Sequence, residues 1–443
     1  MIQERLIQKR ALHLCVFIAA IATSYVSGFS QTAGAADIEL LQKQLLEGKL
    51  TEASEKLTTD LTENPKDQQA KFALGTVQFL QAVEGLGRDH FRHGLLNHRR
   101  ARMTMMRLPV SPNPEPELLT YEGARQVVQN YVDRLLIAER TLSEVTDDSV
   151  RLPLRVDQIR IDLDGNGSAT VDESLFAILQ FLRDPRFQVP SVLPQISIAF
   201  DYADVHWLRG YCHVMSGLGE VILAHDWKDQ FERTAHLFFP RVETPHTFLA
   251  EEGIGDFEGF NTENLLDVIA VIHTINYDVK EPGRMEAALS HFEKVIELSR
   301  TSFASIERET DNDHEWIPNP QQTSNPLGMR VGANMISGWK TFLDEMELIL
   351  QGKKLLPFWR GVPGGSGWTV FSGDFSNVRM HPKLGINVRK IFTEPQRFDM
   401  VLWIQGTGAQ PFLEEGPRTE SLTWNRITRE FNGDFLLFMF WFN

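Results

Sequence analysis

Asp162-Leu163-Asp164-Gly165-Asn166-Gly167-Ser168-Ala169-Thr170-Val171-Asp172-Glu173, running on into Ser174-Leu-Phe-Ala-Ile-Leu-Gln-Phe-Leu-Arg183, is the stretch on which the reading of this chain turns. Oxygen-bearing side chains recur at alternate positions. A hard divalent cation needs several oxygen ligands from a loop that folds around it, and Asp162, Asp164, Asn166, the Ser168 carbonyl and Glu173 can supply them. Gly167 permits the sharp turn between them. Downstream, the apolar run to Arg183 reads as a helix that Asp184-Pro185 ends. Upstream, Leu154, Val156, Ile159, Ile161 and Leu163 follow Pro153 with a spacing closer to two than to 3.6, so a short strand is expected to enter the loop. The result is a strand-loop-helix site; the plainer alternative is an Asp/Asn/Gly turn that caps a helix.

These twelve positions resemble the calcium loop of the EF-hand family, with Asp162, Asp164 and Asn166 at the first, third and fifth positions, Gly167 at the sixth and Glu173 at the twelfth. The resemblance implies Ca2+ as the cofactor. It implies side-chain ligation by Asp162, Asp164 and Asn166, a backbone ligand from Ser168, Thr170 acting directly or through water, and both carboxylate oxygens of Glu173. Asp172 is expected to point away. Ala169 departs from the family, which places a larger aliphatic residue there to pair with a second hand, and no second loop of comparable quality follows. An unpaired hand has no partner helices to open, so a fixed structural ion is expected rather than a signalling switch.

Residues 1–35 read as a secretory signal: Arg5, Lys9 and Arg10 precede the apolar run Ala11 to Ala22, and cleavage is expected near Ala35. Secretion or a periplasmic location follows, with calcium abundant. Cleavage would remove Cys15 and leave Cys212 alone, which excludes an internal disulfide and reads as a buried small residue. The chain is 42% hydrophobic and carries a net charge of −15, which argues against nucleic-acid binding because phosphates would be repelled. No stretch of the mature chain reads as a transmembrane segment.

The remainder reads as mainly α. From about 37 to 79, Gly48, Leu50, Ala53, Leu57, Pro65 and Leu74-Gly75 resemble a tetratricopeptide repeat, which implies helical hairpins and a protein or peptide docking surface. Asp60 stands where a small residue is usual. A second unit is expected to begin after Pro282-Gly283. Between them, Arg88 to Arg107 concentrates arginine and histidine, either to meet an anionic partner or to pair with acidic neighbours. Four prolines between Pro109 and Pro116 mark a boundary. Helices are expected at Tyr121–Val145, with Val132, Leu135 and Leu142 in the core, and at Leu327–Leu350.

The domains are therefore drawn as a signal peptide at 1–35, a tetratricopeptide-like region at 36–108, a central helical region with the calcium loop at 117–350, and an aromatic-rich C-terminal region at 351–443. Glu309 to Trp316 packs acidic groups closely enough to recruit another cation, but it lacks the glycine turn of the first site and reads as a solvated loop; Gly361 to Gly367 reads as a turn. Phe398–Ile404 and Phe435–Asn443 are apolar on every face, as buried elements are. No catalytic set emerges. His206, Arg209 and His213 share a helix, and a metal or an acid/base pair there would make the chain a secreted or periplasmic hydrolase; otherwise they are hydrogen-bonded core residues. The reading adopted is an exported calcium-binding helical protein with a structural or interaction role.

Overall fold

A computed structural model describes residues 37–96, 108–183, 189–190, 193–251, 262–328, 330–360, 381, 383–431 and 435–443. The expected signal segment, most of the basic run after Arg92 and the 361–367 turn lie outside the described residues. The fold is mainly α, with fifteen helices and eight short strands among the described residues.

The chain begins with α1 (Ile38–Leu46) and α2 (Leu50–Glu63), a helical hairpin turned at Gly48, and continues through Pro65 into α3 (Gln68–Arg92). Each start has a local cause. The Asp37 carboxylate accepts from Leu40 N (3.0 Å) and that of Asp67 from Ala70 N (2.9 Å), each satisfying an otherwise orphaned helical N–H. The proline-rich segment that follows has no regular helix or strand and is tied back to the end of α3, where Glu117 N donates to the Arg92 carbonyl at 2.8 Å. Thr120 then caps α4 (Tyr121–Ser143). Val132, Leu135 and Leu142 are buried on it, as their spacing predicts.

Next, β1 (Leu152–Arg155) pairs antiparallel with β2 (Ser197–Phe200), joining Leu152 to Phe200 and Arg155 to Ser197. Between these strands lie a 3-10 turn (Val156–Gln158), the acidic loop and α5 (Leu175–Arg183). The period-two segment is therefore only half strand: pairing stops at Arg155, and Ile159 to Leu163 enter the loop as extended backbone with one bridge, Arg160 to Ser174. A capping box of Asp201 and Asp204 opens α6 (Tyr202–Ala224), which leads to β3 (His225–Asp226), α7 (Lys228–Thr234), α8 (Thr247–Glu251), α9 (Thr262–Thr274) and β4 (Asn276–Val279).

Pro282 occupies the first turn of α10 (Pro282–Ile306), where its missing N–H costs nothing. The second repeat unit expected here is one continuous helix of 25 residues, not a hairpin. α11 (Ala333–Leu350) starts six residues later than expected, because Asn325 and Gly328 fold the preceding segment into a turn. The C-terminal part comprises β5 (Leu356–Pro357), β6 (Leu384–Ile386), α12 (Val388–Thr393), β7 (Phe398–Asp399), α13 (Met400–Gln405), β8 (Leu413–Glu415), α14 (Ser421–Glu430) and α15 (Phe435–Phe442). β3, β4 and β7 form one three-stranded sheet, and β5, β6 and β8 another.

Two apolar cores hold this together. The first gathers residues of α1–α4, Leu108, Val110, Leu152, Leu154, Ile159, Ile161 and Leu163, with Val205 and Leu208 of α6. The second packs α10, α11 and α14 around Trp339, Phe303 and Phe442. Trp441 and Phe442 are thus core, while Val401 and Leu402 are exposed, against the expectation that both apolar segments would be buried.

Candidate metal centre

The acidic loop is seated before any ion is considered. Ile161 N donates to the Glu173 carbonyl (3.0 Å) and Leu175 N to that of Ile159 (2.8 Å), closing the ends of the loop on each other. Ile161 and Leu163 are buried in the first core, which leaves Asp162 between them held at the rim. Gly167 has φ +83°, the left-handed turn its position requires.

Within the loop, the carboxylates of Asp162, Asp164 and Glu173 converge, one oxygen of each lying within 4.8 Å of the others. Two oxygens on one calcium are at most about 5 Å apart, so this spacing admits a shared ion. Asp162 and Glu173 are each 4% exposed and Asp164 is half-buried. Asp162 Oδ1 accepts from Asn166 N (3.1 Å), while its Oδ2 accepts from Gly167 N (3.1 Å) and Arg88 Nη2 (2.9 Å). Glu173 Oε1 accepts from Leu163 N (2.9 Å), and Oε2 from Thr170 N (2.8 Å) and Thr170 Oγ1 (3.0 Å). Asn166 Oδ1 accepts from Ser168 N (2.8 Å), and its amide donates to Asp164 Oδ2 (3.0 Å). Three of the six expected ligands are therefore gathered, and Asn166 and Thr170 are engaged in bonds within the loop. Ser168 and Asp172 are exposed. Three carboxylates this close repel one another, and Arg88 offsets part of that charge at Asp162.

Sequence reasoning missed what the loop packs against. Ala169 is buried against the α1–α2 turn, where a β-carbon on Gly48 would lie 2.3 Å from the Ala169 Cβ, and Gly48 itself has φ +72°. Leu163 fills the space left on α3 by Gly87, where a β-carbon would come within 2.5 Å of it. The helical hairpin thus covers the Ala169 side of the loop. Ala169 and Gly48 were both visible as small residues, but nothing local joins positions 121 residues apart. Arg88 also reaches the loop from α3, bridging Asp162 and Glu84 (3.1 Å). Burial pushes Glu84 up to about 7, with Arg88 opposing the rise and the nearby Asp162 charge adding to it. Among the described residues of the basic run, Arg88 and Arg92 pair with acidic neighbours, Arg92 with Asp89 at 3.2 Å.

A second acidic group forms where the sequence suggested a solvated loop. Glu309 and Glu315 converge with Asp201 at the start of α6, again with one oxygen of each within 4.8 Å of the others. Glu315 is only 6% exposed. The loop turns inward because amide side chains satisfy its backbone: Asn319 Nδ2 donates to the Ile306 and Glu309 carbonyls and Asn325 Nδ2 to those of Glu315 and Trp316. Burial and like charge push Glu309 up to about 8, and burial pushes Glu315 up to about 7.

The histidine helix divides. Arg209 donates through Nε and Nη2 to Glu139 Oε1 of α4 (3.0 and 2.9 Å), and His213 Nε2 lies 3.5 Å from the same oxygen. His213 Nδ1 meets Nδ1 of His291 on α10 at 2.7 Å. Burial raises Glu139, but the bonds from His213 and Arg209 outweigh it and hold the carboxylate down to about 2. His206 takes no part. Its buried ring lies edge-on to Tyr202 with centroids 4.7 Å apart, and neither ring nitrogen has a hydrogen-bond partner among the described residues. Cys212 is fully buried and burial raises its thiol pKa, as an inert core cysteine requires.

No protein-family model, curated protein or solved structure matches this chain.

Proposed function

We propose that this chain is an exported calcium-binding helical protein in which one Ca2+ clamps the 162–173 loop, in a structural or protein-interaction role. The supporting observation is the convergence of Asp162, Asp164 and Glu173 within 4.8 Å on a loop already closed by its own backbone. Asp162, Asp164 and Glu173 would ligate through carboxylates, Asn166 through its amide oxygen, Ser168 through its carbonyl, and Thr170 directly or through water. The ion would join the extended entry segment to α5, and through Leu163 and Ala169 to the α1–α3 helices. The tetratricopeptide-like hairpin supplies the docking surface for a protein or peptide. No helix among the described residues is long and apolar enough to cross a membrane.

Calcium that binds only the folded loop stabilises it by mass action. For an extracellular-type site with a dissociation constant of about 0.1–1 mM, about 10 mM calcium contributes about 1.4–2.7 kcal/mol. Differential scanning calorimetry should show a melting temperature that falls on chelation, returns with calcium, and is unresponsive to both in Asp164→Ala. A transition indifferent to calcium in the unsubstituted protein refutes the proposal.

The alternative, a secreted or periplasmic hydrolase, draws its support from the Glu139–His213–His291 array, with His206 outside it. Ester or peptide hydrolysis abolished by His213→Gln with an unchanged fold would favour it.

A further inference from the structure

The helix α9 (Thr262–Thr274) rests on α7 and the start of α13, yet turns its most apolar face to solvent. Leu265, Val268, Ile269 and Ile272 follow the i, i+3, i+4, i+7 spacing, and with Leu266 they span about 160° of the circumference. All five are exposed, Leu266 to 59% and Ile269 to 53%. Hydrogen bonding from Met400 N to the Ile275 carbonyl (3.0 Å), beside the β4–β7 pairing, sets α13 next to the end of α9. There Val401 and Leu402 add two more exposed aliphatic side chains. The seven together leave about 600 Å² of largely apolar surface in water, the size at which a patch marks an interaction face.

We propose that this face binds a second copy of the chain, α9 against α9 about a two-fold axis near Ile269. Joining two copies with both α9 and the adjoining Val401 and Leu402 covered would bury at most about 1,200 Å², the lower edge of what a specific interface requires. The aliphatic ridge is self-complementary, because side chains spaced three and four apart on one helix fit the grooves of the same ridge on another. Charge argues against other occupants. Neither α9 nor α13 carries a lysine or arginine, which a helix lying on a lipid surface displays on its polar side. The ridge itself carries no charge to meet a charged peptide.

The test is sedimentation velocity on the full chain across about 1–100 μM, which spans association free energies of about 5.5–8 kcal/mol. The expected result is a species of twice the 50.5 kDa chain mass. Ile269→Glu should weaken it at least 100-fold with an unchanged circular dichroism spectrum, and Leu422→Glu, an exposed residue on α14, should leave it intact. In a Cys15→Ser background, Ile269→Cys should give a disulfide-linked dimer on mild oxidation, since Cys212, the other cysteine, is buried. A monomer throughout that range, or a dimer indifferent to Ile269→Glu, overturns the proposal. So does binding of the monomer to phosphatidylcholine vesicles that Ile269→Glu abolishes, which would assign the face to lipid.

Discussion

At the scale of single residues, two departures from familiar patterns explain each other. Ala169 is small where a paired calcium loop carries a larger aliphatic residue, and Gly48 turns the hairpin that presses against it. Neither has room to grow. Ala169→Leu should therefore destabilise the protein by about 1–3 kcal/mol, read as a lower urea midpoint, because overpacking displaces the α1–α2 turn. An unchanged midpoint would mean that the hairpin does not support the loop. The convergence of Asp162, Asp164 and Glu173 was legible in the sequence because the spacing within one loop is a local property. Arg88 was legible only as part of a basic run, since its partner Asp162 is brought to it by the packing of Leu163 on Gly87.

At the scale of elements, helices were read where apolar periodicity is strong, and their ends were misread where side chains rather than propensity decide. α4 and α5 begin within a residue of their expected starts, whereas α11 begins late because Asn325 and Gly328 build a turn first. The sharing of one helix by His206 and His213 was also legible. Their separation was not, because it depends on α4 supplying Glu139 and α10 supplying His291. Burial and the nearby Arg209 guanidinium press His206 down to about 4, so the folded protein keeps it neutral while the unfolded chain protonates it below its ordinary value. That stability is present above about pH 6.5 and lost as pH falls toward 4. His206→Phe should gain about 1–2 kcal/mol relative to the unsubstituted protein between about pH 7.5 and 5, by urea denaturation. A constant difference would show that the ring meets a proton acceptor.

At the scale of the whole molecule, the sequence spoke for a mainly helical chain but not for which distant segments meet. The 309–315 segment carries the composition of a solvated loop, and only the closing of Asn319, Gln322 and Asn325 on its backbone makes burial of its carboxyls tolerable. Those carboxyls, joined by Asp201, make stability depend on pH. Glu309 is held above its ordinary value, so its contribution is complete below about pH 4.5 and is lost as pH rises toward 8. Glu309→Gln should flatten that loss by about 1–2 kcal/mol, allowing for the water that reaches this half-buried group. Parallel curves for the two proteins between about pH 5 and 8 would contradict it. The 162–173 loop is likewise a junction, with the hairpin, α3, α5 and the β1–β2 pair meeting around residues 159–175. The most direct test is a crystal structure grown in about 10 mM calcium. It should show one ion at about 2.3–2.6 Å from oxygens of Asp162, Asp164 and Glu173, whereas three carboxylates turned apart with no ion between them would contradict the account.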